Sequence, residues 1–146
     1  MDRSLRKRYL YKMLKQMTVS IEKELNNKMK ELGLTAMQSY LLLYIWKQFP
    51  HELCAADIQE AFGLAQPTIS KYMKTLKNKG YIKIIQSHLD ERQKCITASQ
   101  KLLNQGNHIE NMIIEVEQKI YSDVTLDDLS RLIPLNEKIL KRKYKM

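Results

Sequence analysis

From Leu5 to Leu32 the apolar residues Leu10, Met13, Leu14, Met17, Ile21, Leu25 and Met29 recur three and four positions apart, with Lys, Arg, Glu and Asn between them. That spacing lines one face of an α-helix, and it predicts a single long amphipathic helix ended by Gly33. At 1.5 Å per residue the helix is on the order of 40 Å long. One globule of 146 residues does not need so long a rod, so part of its length is expected to serve a second subunit. Gly and Pro number 4 and 3, which is about 5% of the chain against roughly 12% on average. Fibrous, low-complexity and turn-rich all-β folds are therefore disfavoured, while 44% hydrophobic content is enough for one core. The longest apolar run, Tyr40 to Trp46, is far below the roughly 20 residues that span a bilayer. The N-terminus has no apolar stretch of the signal-peptide kind. No membrane partner and a cytoplasmic location are expected.

The rest of the chain reads as helices punctuated by helix-ending residues. Thr35 and Gln38 have capping-box spacing, opening a second helix over about Ala36 to Phe49 that Pro50 stops. This helix is apolar nearly all round at Leu41, Leu42, Ile45 and Trp46, which places it at the centre of the fold. A short third helix, Ala55 to Phe62, ends at Gly63. After four linking residues, Pro67 suits the first turn of a fourth helix, since its missing N–H has no intrahelical partner there. The fourth helix runs to Gly80 with Ile69, Tyr72 or Met73, and Leu76 on its apolar face. Thr68, Ser70, Lys71, Lys74, Lys77 and Lys79 form the other face. Tyr81 to Gln86 and Lys94 to Thr97 read as two strands of a hairpin with a polar tip, Ser87 to Gln93. Ser99 can cap a fifth helix through Tyr121. Thr125 and Asp128 can cap a sixth over about Leu126 to Tyr144, which Pro134 is expected to kink or split.

The expected architecture is mainly α with a small β-hairpin wing: a winged helix-turn-helix flanked by terminal helices, in one domain spanning 1–146. Residues 35–99 form the winged lobe, and 1–34 and 100–146 supply the flanking helices. The charge agrees with a polyanionic partner. Lys and Arg total 25 against 16 Asp and Glu, for a formal charge of +9. Eight basic residues (Lys71, Lys74, Lys77, Lys79, Lys83, Arg92, Lys94 and Lys101) and only Asp90 and Glu91 on the acidic side fall between Gln66 and Lys101. Most of the net charge thus sits on the fourth helix and the hairpin. A helix fits the major groove of B-DNA and reads base edges from its N-terminal end, while the helix before it crosses the backbone. Gln66, Pro67, Thr68, Ser70, Lys71, Lys74 and Lys77 are the candidate contacts on the helix. His88, Asp90, Arg92 and Lys94 are the candidates on the wing.

At these residues the chain resembles the MarR-type transcriptional regulators. The resemblance is carried by Leu34 and Thr35 with Gln38 opening the second helix, and by Gln66, Pro67, Thr68, Ile69, Ser70 and Lys71 in succession. Leu76, Lys79 and Gly80 follow, then Asp90, Glu91 and Arg92 at the family's distance from the glycine. It covers residues 34 to 100 by motif and the whole chain by helix order. The resemblance implies a symmetric homodimer, joined through its terminal helices, that binds a pseudo-palindromic operator in double-stranded DNA and usually represses. Helix 66–79 would enter the major groove and wing 87–93 the minor groove. Gln66, Thr68, Ser70 and Lys71 match the family's base- and phosphate-contacting positions, Arg92 its wing arginine and Asp90 the carboxylate that orients it. On the same grounds Leu10, Met13, Leu14, Met17, Ile139 and Leu140 are assigned to dimerisation. A small-molecule effector of unspecified identity is also implied. Three positions depart from the pattern. Ile84 replaces an arginine that usually stiffens the wing, Ala98, Ser99 and Leu102 replace the usual opening of the fifth helix, and Ala65 stands where a serine cap is usual.

Other residues read more plainly. The methionines at 13, 17, 29 and 37 have helical spacing and are expected to be core, not a soft-metal site. Tyr9, Tyr11, Tyr40 and Tyr44 are read as aromatic core before pocket lining. Cys54 and Cys95 are too few for a disulfide scaffold, and either is expected to be a small packed residue rather than a sensor. His51 and Cys54 have no further ligand pair nearby, so no metal is expected, and no cofactor is implied. No Gly-rich phosphate loop, nucleophile elbow or His-Glu-x-x-His motif occurs, which argues against an enzyme. The competing class is a non-catalytic winged-helix module that binds protein or RNA, with the basic clusters at the two chain ends as its surface.

Overall fold

The computed structural model describes residues 3–87, 89 and 92–145. Its elements are α1 (Arg3–Met29), extended by a 3-10 turn at Lys30–Leu32, α2 (Ala36–Gln48), α3 (Ala55–Phe62), α4 (Gln66–Asn78), β1 (Ile82–Gln86), β2 (Lys94–Ala98), α5 (Gln100–Ile120) and α6 (Leu126–Leu140). They form two compact units, Met1–Val116 and Glu117–Met146.

In the first unit each boundary has a local cause. Gly33 adopts φ 66°, a left-handed conformation that stops the long helix at little cost for a residue without Cβ. Thr35 Oγ1 accepts from the Gln38 amide at 3.2 Å, and Gln38 Oε1 accepts from the Thr35 amide at 3.1 Å, completing the capping box of α2. Asn26 Oδ1 accepts from the Ala36 amide at 2.7 Å, so α1 also helps to cap α2. The core is made by Leu25 and Met29 of α1, Leu41, Leu42 and Ile45 of α2, Ile58 of α3, Ile69 and Leu76 of α4, and Leu102, Ile109 and Ile113 of α5, all essentially without exposure. Each such side chain contributes about 1.5–3 kcal/mol by leaving water. Trp46, at the end of α2, lies against α5 at Gly106, where an added Cβ would stand 2.3 Å from ring atoms. Lys28 pairs with Glu115 at 2.8 Å and Lys47 with Glu110 at 2.9 Å, tying α1 and α2 to α5.

The core is narrower than the spacing of α1 predicts. Met29 is buried and Met37 half-buried, but Met13 and Met17 are 50% and 51% exposed, so these two are not core. Tyr11 is 74% exposed and Tyr9 46%, so neither belongs to an aromatic core. Helical periodicity marks the face that avoids water without saying what covers it.

In the second unit, Thr125 Oγ1 accepts from the Asp128 amide at 3.1 Å, and Asp128 Oδ2 accepts from the Thr125 amide at 2.9 Å. The bond from the Thr125 amide, with the Thr125 hydroxyl adding to it, favours the charged carboxylate and holds Asp128 below its ordinary pKa. Pro134 lies inside α6 without splitting it, and the helix ends at Leu140, short of the expected Tyr144. Lys141 takes a left-handed φ of 57° and terminates it, while the amide of Tyr144 donates to Glu137 Oε2 at 3.2 Å. Leu129, Leu132, Ile139 and Leu140 are all exposed.

Candidate nucleic-acid interface

α3 and α4 meet through a tight turn. Gly63 takes φ 69° and its amide donates to Gln59 O at 2.7 Å, closing α3. Three residues later α4 begins from Ala65, which makes no side-chain cap, with Pro67 in its first turn. The missing serine cap leaves this end of the helix less satisfied within the chain, as the sequence predicts. Open N–H groups and the positive end of the helix dipole are thereby left for an anion. α4 is seated by Ile69, Met73 and Leu76; Tyr72, the alternative for its apolar face, is half-buried. On the opposite side Gln66, Pro67, Thr68, Ser70, Lys71, Lys74 and Lys77 are all exposed. Gln38, Pro67, Thr68, Lys71, Tyr72 and Thr75 line a shallow groove of about 460 Å³ between the start of α2 and α4.

Lys79 does not belong to that exposed face. Its ammonium donates to the Gly33 carbonyl and, at 3.2 Å, to Gln38 Oε1, so it ties the end of α4 to the corner between α1 and α2. Two further bonds hold the same end of α4. Lys101 Nζ donates to Lys79 O at 2.8 Å while lying 4.3 Å from the centre of the Tyr81 ring. Ser99 Oγ donates to Gly80 O at 2.6 Å and accepts from the Leu102 amide at 3.3 Å, so one hydroxyl caps α5 and anchors the strand entry. Lys79 and Lys101 therefore act as internal tethers. Composition counts them with the basic face because charge alone does not show where an ammonium points.

β1 and β2 are antiparallel, with Ile82 opposite Ala98 and Gln86 opposite Lys94. The position of Ile84 supplies no arginine to stiffen the wing, and other contacts replace it. Leu53 forms an antiparallel bridge to Ile96, giving β2 a partner on its second side. Ser87 N–H donates to Gln93 O at 2.9 Å, and the Leu89 amide to Ser87 Oγ at 3.1 Å, closing the base of the tip. Arg92 and Lys94 are exposed on this hairpin, as is Leu89. His88 and Asp90 lie outside the described residues, and with Asp90 the proposed orienting carboxylate for Arg92.

The remaining candidates are distributed as follows. Leu10 is half-buried, Met13, Leu14 and Met17 are exposed on α1, and Ile139 and Leu140 are exposed on α6. Cys95 is buried and Cys54 half-buried, both as free thiols. Among the described residues there is no group of three or more His, Cys, Asp or Glu suited to a metal ion, and no helix long and apolar enough to cross a membrane. The Leu53 bridge and the Lys79 tether carry no local signature in sequence. Gly106 does, because a glycine inside a helical pattern commonly marks a close packing contact.

A buried-backed helix with a polar, lysine-bearing outer face, preceded by a short helix and followed by a β-hairpin, defines a winged helix-turn-helix of the MarR type. The chain belongs to the transcriptional regulator SarA/Rot family, whose profile matches residues 23–112. That family consists of transcription regulators rather than enzymes. Among solved structures, the S. aureus MepR–DNA complex matches with a TM-score of 0.78 and 19% identity over 90% of this chain and 96% of that one. The transcription regulator MarR from Oenococcus oeni matches with a TM-score of 0.78 and 17% identity over 90% and 98%. A mutant E. coli MarR complexed with operator DNA matches at 0.78 and 16% over 96% and 99%.

Proposed function

We propose that this protein is a cytoplasmic, homodimeric transcriptional repressor that binds a pseudo-palindromic site in double-stranded DNA. The observation that carries the reading is the outer face of α4. From Gln66 to Lys77 every residue assigned to DNA contact is exposed, on a helix held by Ile69, Met73 and Leu76 beneath it. Residues 66–79 would lie in the major groove, with Gln66, Thr68, Ser70 and Lys71 toward bases and phosphates, and Lys74 and Lys77 toward the backbone. The wing, 87–93, would reach the minor groove through Arg92, with Asp90 orienting it and His88 and Lys94 at the flanking phosphates. Solved relatives with this fold include MepR bound to DNA and MarR bound to operator DNA, which supports the same use here.

Dimerisation is assigned to the flanking helices, 1–34 and 100–146, around the winged lobe 35–99. The exposed apolar side chains of Met13, Leu14 and Met17 on α1 and of Ile139 and Leu140 on α6, together with the half-buried Leu10, support this assignment, since a second copy would remove them from water. Two recognition helices about 34 Å apart then meet successive major grooves on one side of the duplex. A small-molecule effector would act by binding one spacing of those helices better than the other.

Selection of binding sites from a random DNA duplex pool, together with the mass of the protein in solution, tests the reading. A dimer that enriches a pseudo-palindrome with half-sites about one helical turn apart is expected. A folded dimer that enriches no duplex would overturn it in favour of the module that binds protein or RNA.

A further inference from the structure

Cys54 and Cys95 are distant in sequence, but extending the antiparallel register of the bridge between Leu53 and Ile96 by one pair sets them opposite one another. Leu53 N–H donates to Ile96 O at 3.0 Å and Ile96 N–H donates to Leu53 O at 2.7 Å. A residue pair that exchanges both bonds is the hydrogen-bonded type in an antiparallel ladder, so the next pair along is of the non-hydrogen-bonded type. One step forward from Leu53 and one step back from Ile96, that pair is Cys54 and Cys95. The backbone at Cys54 is still extended, with φ −98° and ψ 168°. Its amide turns away from β2 and donates to Asp57 Oδ2 at 2.8 Å, as the non-hydrogen-bonded position requires. Opposed Cα atoms in such a pair stand about 4.5 Å apart with their side chains on the same face. That separation falls at the near end of the roughly 4.4–6.8 Å range that a disulfide spans. Cβ atoms in such pairs are about 4.5–5.5 Å apart, so bond formation asks for a local approach of no more than about 1–2 Å.

We infer that Cys54 and Cys95 form an oxidisable dithiol that a hydroperoxide converts into an intrachain disulfide. Cys54 is half-buried and Cys95 only 6% exposed, so Cys54 is the sulfur that meets the oxidant. The Cys54 thiol gives up its proton and its sulfur attacks the O–O bond. That bond breaks, an alcohol leaves carrying the proton (water, when the oxidant is hydrogen peroxide), and Cys54 becomes a sulfenic acid. The Cys95 sulfur then attacks the Cys54 sulfur. The S–S bond forms, the S–O bond breaks, and the oxygen departs as water with the Cys95 proton. Two thiols have then supplied two electrons to one peroxide. The product joins the residue that opens α3 to β2, three positions after Arg92, and so fixes the base of the wing to the first helix of the helix-turn-helix. The thiol chemistry does not depend on the proposed DNA binding.

The experiment treats the full-length reduced protein with a small excess of hydrogen peroxide under native conditions. Free thiols are counted, and intact mass and non-reducing peptide maps are recorded. Two titratable thiols per chain should fall to none, the intact mass should drop by two hydrogen atoms, and the Cys54 peptide should appear linked to the Cys95 peptide of the same chain. Dithiothreitol should reverse all three. In Cys95→Ser, Cys54 should stop as a sulfenic acid that dimedone traps. Stable oxygen addition at Cys54 with Cys95 still reduced in the wild type, a linkage between two chains, or unchanged thiols would each overturn the inference. These outcomes are read on the wild-type protein, so the result does not rest on the serine variant folding.

Discussion

Replacing Gly106 by alanine tests whether the packing of α5 on α2 is as close as the structure shows. Alanine is the better helix former by about 1 kcal/mol, so an unencumbered position in α5 would gain stability. Here the new methyl stands 2.3 Å from Trp46 Cδ2 and Cε2 and 2.5 Å from Nε1. Carbon atoms prefer about 3.5–4.0 Å, so the indole or the helix must move by more than about 1 Å. The near atoms belong to the rigid fused ring, so no flexible side-chain end can yield. Overpacking of this kind costs about 1–3 kcal/mol, sometimes more, and it outweighs the propensity gain. Net destabilisation of up to about 2 kcal/mol is expected for Gly106→Ala. Trp46 is the only tryptophan, so its fluorescence reports the change directly, and urea denaturation at fixed protomer concentration measures it. The sharper test is the double variant. With Trp46→Leu in place the clash is gone, and Gly106→Ala should then stabilise by about 1 kcal/mol. The reasoning fails if the alanine stabilises the wild type, or if its effect is the same in both backgrounds.

Lysines that differ in role should separate by salt dependence. Lys71→Met should lower the slope of log affinity for the selected duplex against log salt by about 1, as loss of a phosphate contact does. Lys79→Met should weaken binding with the slope unchanged, because its ammonium is spent on Gly33 and Gln38; equal slope changes would refute the tether. Arg92→Ala should weaken duplex binding while circular dichroism and dimer mass stay as in the wild type, and unchanged affinity would remove Arg92 from the interface. In α6, hydrogen bonding from the Thr125 amide depresses the pKa of Asp128, so its stabilising effect is present above the ordinary carboxylate range. That effect is lost as pH falls through the depressed value. NMR titration of the Asp128 carboxyl should show the depressed midpoint, and Thr125→Ala should move it up; an unshifted wild-type midpoint would contradict the cap.

The helix order, the capping boxes at Thr35 and Thr125, the hairpin and the outer face of α4 were legible in the sequence because their signals are local. Periodicity, cap spacing and a proline in a first turn act within a few residues and need no tertiary partner. The same local reading erred where a contact crosses the fold. It grouped Lys79 with the exposed lysines, although the ammonium reaches the α1–α2 corner. It placed Met13 and Met17 in the core because a 3.6-residue period is identical whether the face meets its own chain or another. Of the two outcomes expected at Pro134, a split does not occur, since α6 runs through it to Leu140. The opposition of Cys54 and Cys95 was invisible for the same reason. Composition shows two cysteines, and only the pairing of Leu53 with Ile96 sets their register. What the sequence alone determined is the set of elements and the chemistry they carry. What the tertiary structure decided is which side chains meet across distant segments, since those distances follow from how the elements pack and not from their spacing along the chain.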